Sequence, residues 1–121
     1  MRYMFIVKSS HHAEPTPELL EAMHKLAQRE IQAGRMLDDG GLVPLDMGAQ
    51  VAAVKGELKV TDGPFIEAKE VVGGFAIFEL PGMEEALKSA RDFMQLHTDL
   101  MPGWDGTCEI RAIAGSMTKG G

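Results

Sequence analysis

The stretch Tyr3-Met4-Phe5-Ile6-Val7 is apolar on both of the faces it would present as a strand. Side chains alternate along an extended chain, so Tyr3, Phe5 and Val7 share one side while Met4 and Ile6 share the other. Such a strand needs cover on both faces of its sheet. Helices supplied by the same chain can provide one cover, and the second has to come from elsewhere. Arg2 and Lys8 bracket the run and no small-residue cleavage pattern follows it, so it reads as neither a membrane span nor a signal peptide.

A helix is predicted after the loop at residues 9–16. Thr16 is placed to cap it, Pro17 suits its first position, Glu18 complements the dipole, and Gly34 stops it. Within it Leu20, Met23, Ala27 and Ile31 recur at three- and four-residue spacing as the buried stripe, widened by Leu19 and Leu26. Residues 36–44 contain Asp38-Asp39-Gly40-Gly41, the mark of a short extended piece broken by a turn or bulge. Residues 50–55 and 57–61 form a hairpin around Gly56, and residues 74–80 form a strand that Pro81-Gly82 ends.

A second helix over residues 83–97 places Met83, Ala86, Leu87, Ala90, Phe93, Met94 and His97 on one side. In the last strand, residues 107–113, Cys108, Ile110 and Ala112 alternate with Thr107, Glu109 and Arg111, so its polar face needs water, a partner or a ligand. The order is strand, helix, strand, strand, helix, strand: an α+β split βαβ arrangement, an antiparallel sheet with two helices on one face. The helix-free face then packs against something, and a second copy of the chain is the simplest candidate.

A chain of 121 residues suits one domain, here residues 1–113, with a flexible tail over residues 114–121. Its net charge of -6 and twelve scattered Lys and Arg argue against a nucleic-acid surface. Cys108 is the single cysteine, which excludes an internal disulfide and a Cys-rich zinc site, and its place on the apolar face makes it an inert core thiol. Adjacent histidines such as His11-His12 chelate one ion poorly, and neither a phosphate-cradling glycine loop nor a nucleophile elbow is present, so no metal and no cofactor are expected.

Asp62-Gly63-Pro64-Phe65, followed by Glu67, Lys69-Glu70 and Gly74-Phe75, resembles the DGPF-domain branch of the YCII-related family. The likeness extends to Met1-Arg2-Tyr3-Met4, Ala33-Gly34-Arg35-Met36-Leu37, Gly40-Gly41-Leu42, Pro102-Gly103-Trp104-Asp105-Gly106 and Glu109-Ile110-Arg111, nearly the whole of residues 1–113. The resemblance implies a ferredoxin-like βαββαβ subunit that pairs sheet against sheet into a dimeric α+β barrel with a cleft. It also implies two functional classes. Some relatives use a His-Asp pair for lyase-like or hydrolytic chemistry; other proteins of this branch accompany extracytoplasmic-function sigma factors, which implies a noncatalytic regulatory module.

Asp62 and His24 are the catalytic candidates, although His24 follows Glu21-Ala22-Met23 where the family's histidine follows Arg-Pro. Asp62 equally suits a turn-capping role, and His24 a structural one on the helix flank. Glu67, Lys69, Glu109 and Arg111 are the ligand-binding candidates, charged groups placed to line a polar cavity for a small anionic or hydroxylated molecule; solvated surface is the plainer reading for Glu67 and Lys69. The expectation is a cytoplasmic homodimer that binds a small molecule near the motif loop.

Overall fold

The computed structural model describes residues 1–10, 14–44, 47–62 and 71–115. The elements follow the order β1 (Arg2–Ser9), α1 (Pro17–Gln32), β2 (Met36–Gly41), β3 (Ala49–Val54), β4 (Glu57–Asp62), β5 (Val71–Glu79), α2 (Met83–Leu100) and β6 (Gly106–Ala112). Four strands make one antiparallel sheet in the order β2-β5-β1-β6, the ferredoxin-like arrangement, and β3 and β4 form a separate two-stranded sheet. The fold is therefore α+β as the sequence indicates, with the β3–β4 hairpin inserted between the second and third strands of the main sheet. Of the DGPF segment, which begins at Asp62, residues 63–70 lie outside the described residues, as do His11 and His12 and residues 116–121 of the expected tail.

One apolar face of β1 packs beneath the helices. Phe5 sits opposite Ala76 and Ile110, and Tyr3 opposite Phe78 and Ala112, which places these side chains on one face with Cys108. Tyr3, Phe5, Phe78 and Leu80 are buried there with Ala86 and Ala90 of α2. The rings of Phe5 and Phe78 stack with centroids 4.6 Å apart. Burial of each such ring contributes about 1.5–3 kcal/mol, and Phe78→Ala would cost about 3–5 kcal/mol by opening a cavity beneath α2.

α1 begins as its capping residues dictate: Thr16 Oγ1 accepts from the Leu19 backbone N–H at 3.2 Å. Its end is a Schellman turn, in which Gly34 takes φ of +76°, its N–H donates to Ile31 O, and the Arg35 N–H donates to Glu30 O. The buried stripe differs from the predicted one. Leu19 is fully buried and Glu30 nearly so, whereas Leu20 and Ile31 are about half exposed. A charged residue occupies the stripe because Arg35 neutralises it, and the helix is rotated accordingly. On α2 the buried positions are Ala86, Ala90 and His97; Met83 and Leu87, placed on the same side by periodicity, are exposed at 45% and 47%.

The short extended piece is β2, and its irregularity is a register shift against β5 between Met36 and Asp38. The hairpin turn falls at Lys55-Gly56, both with positive φ (51° and 82°), the backbone demanded by the tightest two-residue hairpin connection.

Candidate functional site on the open face of the sheet

The face of the sheet opposite the helices carries Met4 and Ile6 of β1 beside Phe75 and Ile77 of β5. All four are half-buried, and no helix of the described residues covers them. Along β6 this apolar floor meets a polar border. Met4 faces Arg111, Ile6 faces Glu109 and Lys8 faces Thr107, so Lys8, Glu109 and Arg111 project from the same side of the sheet.

These three side chains form a continuous chain of ion pairs. Lys8 Nζ donates to Glu109 Oε1 at 3.2 Å, and Arg111 Nη1 donates to Glu109 Oε2 at 3.3 Å. The Lys8 and Arg111 hydrogen bonds hold the Glu109 carboxyl below the usual carboxylate range. Glu109 is thus anionic at neutral pH and has no proton to give; its work is to orient the two cations. The trio carries one net positive charge on an otherwise acidic chain, and Arg111 keeps most of its guanidinium exposed. That arrangement suits an anion laid across the apolar floor.

At one end of this face, where β1 and β2 finish and β5 begins, lies a cavity of about 80 Å³. Ser9, Ser10, Leu42, Pro44, Val72 and Gly73 are among the residues around it. Ser9 Oγ donates to Asp105 O at 3.2 Å, which ties the end of β1 to the loop before β6. The same loop brings Trp104 over Gly106, with His97 tilted against the indole at 4.5 Å. A volume of that size is well below the roughly 300–1,000 Å³ of a pocket that engulfs a small ligand.

The sequence-derived residues fare differently. Glu109 and Arg111 are brought together, and Lys8 joins them. Lys8 escapes sequence reading because its link to Glu109 spans about a hundred residues; the one available signal was a cation bounding a doubly apolar strand. Asp62 ends β4 opposite Ala49 and is exposed, while His24 is exposed on α1 with its Nε2 3.3 Å from Gln28 Nε2. No hydrogen bond or ion pair joins Asp62 to His24 among the described residues. Glu67 and Lys69 lie outside them. His97, placed by periodicity on the apolar side of the second helix, is buried between Phe93 and Trp104, and burial lowers its pKa below the ordinary value. No group of three or more metal-ligating side chains is clustered among the described residues, and no helix among them is long and apolar enough to cross a membrane.

The profile of the YCII-related domain matches residues 1–99. The chain belongs to the YCII-related domain family. An uncharacterised protein of Rhizobium meliloti (strain 1021) is 29% identical over 108 residues, covering 89% of this chain and 83% of that protein. In this YCII-related chain the matched region runs from β1 to the end of α2, and the remaining strand, β6, supplies Glu109 and Arg111.

Proposed function

We propose that this YCII-related protein is a homodimer that binds a small anionic or hydroxylated molecule in a cleft over the open face of its sheet, near the segment that carries the DGPF motif. One observation carries this reading: an apolar floor of Met4, Ile6, Phe75 and Ile77 is bordered by the cationic Lys8–Glu109–Arg111 chain. The adjoining cavity is too small to enclose a ligand by itself, so a second copy laid over the sheet would form the missing wall. In the catalytic version, Asp62 supplies the acid-base group for lyase- or hydrolase-like chemistry and the charged trio binds the substrate; His24, on α1, lies on the other side of the sheet from the trio and takes no part.

The test is a thermal-shift screen of a panel of small carboxylates, phosphates and sugars on wild type, Arg111→Ala and Glu109→Gln. A compound that raises the wild-type Tm should lose its effect in Arg111→Ala, whose own melting temperature stays close to wild type because the ion pair is exposed. Activity on that compound which disappears in Asp62→Asn and survives in His24→Gln would establish the catalytic version. A panel with no shift, on protein with an intact fold, would instead favour the noncatalytic module that partners a sigma factor.

A further inference from the structure

The β3–β4 hairpin is amphipathic, and its apolar face is directed to solvent. The pairs Val51–Val60 and Ala53–Leu58 stack on one face. Val51, Leu58 and Val60 are 63%, 76% and 69% exposed. On the opposite face Gln50, Ala52 and Thr61 are half-buried, so the chain covers the more polar side of its own hairpin and leaves the apolar side bare. A two-stranded sheet is marginal in water without a hydrophobic contact. These two strands pair only with each other among the described residues.

We infer that the hairpin is an arm that docks, apolar face down, on the β2 edge of a second copy of this chain. The landing surface is present in the same subunit. Leu37, Leu42 and Val43 are about half exposed or more on β2 and just beyond it. Among the described residues β2 is an edge strand of the main sheet, so an arm laid over it also covers an edge that no described strand pairs with. The charges match at the tip: Asp38 and Asp39 are exposed on β2, and Lys55 is exposed in the turn of the arm. The areas match too. With strands about 4.8 Å apart and a rise of about 3.3 Å per residue, the open sheet face offers roughly 400 Å² and each arm face roughly 200 Å². Under two-fold symmetry every subunit both gives an arm and receives one, which brings the contact near the ~800 Å² per partner of a stable interface; the sheet face alone supplies about half of that. This inference rests on the homodimer proposed above and adds the element that clamps it.

Light scattering across a dilution series tests it, with two sets of variants. Leu58→Glu combined with Val60→Glu should weaken dimerisation by more than about tenfold while the circular dichroism spectrum is kept. Ile77→Glu on the sheet face probes the dimer independently of the arm. For a direct readout, Leu58→Cys protein is mixed with Leu42→Cys protein and oxidised; Cys108 packs against the core and leaves a low background. A band of twice the chain mass from the mixture, stronger than from either variant alone, supports the arm even where the glutamate variants unfold. A wild-type dimer whose dissociation constant is unchanged by the arm glutamates, with no mixed crosslink, overturns the arm and leaves the sheet-face dimer standing. Wild type that is monomeric at micromolar concentration overturns both.

Discussion

Arg35 binds Glu30 through both its backbone and its side chain. Its N–H donates to Glu30 O at 3.0 Å, and its guanidinium places Nε 3.2 Å from Oε1 and Nη2 2.5 Å from Oε2 of the Glu30 carboxylate. Arg29 adds a contact to the same carboxylate and a second to Asp92, so the cluster fastens α1 both to the entrance of β2 and to α2.

Removing the charge at that junction should loosen it. Glu30→Gln keeps the shape but loses the fork, and it is expected to cost about 1 kcal/mol, the interaction being partly screened through the half-exposed Arg35. Calorimetry should show a Tm lower by several degrees. The same fork, opposed by partial desolvation, holds the Glu30 carboxyl below its ordinary 4.5. The folded pKa lies below the unfolded one, so this contribution is complete above 4.5 and is lost as pH falls through the lower folded value. Glu30→Gln should therefore show a shallower acid decline in that range than wild type.

His97 acts in a higher window. Burial depresses its pKa below 6.5, although its Nδ1, which lies 3.1 Å from Phe93 O, opposes that shift. Below 6.5 the unfolded chain binds a proton that the folded chain resists, so stability is retained above that value and declines as pH falls toward the folded pKa. Thermal melts of wild type and His97→Phe between about pH 7 and pH 5 should show the steeper decline in wild type. Equal slopes would rule out His97 as the source.

Gly106 is a site of close approach. A Cβ there would lie against the Trp104 ring and 2.7 Å from the Lys8 carbonyl oxygen, which belongs to backbone and cannot turn aside. Gly106→Ala should destabilise by about 1–3 kcal/mol, read as a lower urea midpoint with an unchanged slope. Gly73, with open space where its Cβ would stand, is the control.

Cys108 should be chemically quiet. Burial pushes its thiol up to about 11, so at pH 8 almost none is thiolate. Reaction with an aromatic disulfide reagent should be much slower in the folded protein than in denaturant, where one thiol per chain is titrated. A folded-state rate equal to that of a free thiol would contradict its place beneath the sheet.

The structure sharpens some readings of the chain and corrects others for identifiable reasons. The cap at Thr16, the stop at Gly34, the turn at Gly56 and the alternation of β6 depend on neighbours in sequence, and all were legible there. The stripe on α1 was misplaced at Leu20 and Ile31 because a hydrophobic pattern gives no weight to Glu30, whose burial requires Arg35. The place of His97 on the apolar side of α2 is legible from periodicity, whereas the Trp104 ring against it depends on how the following loop turns back.

By itself the sequence determined the α+β class, the positions of the helices and strands, and an opening strand with two apolar faces, because periodicity and capping are local. The family likeness was legible as well. The order β2-β5-β1-β6, the meeting of Lys8 with Glu109, and the hairpin's exposed apolar face were decided by tertiary structure. Each depends on which distant segments become neighbours, and that is set by the free energy of packing the whole chain, to which no short stretch holds the key.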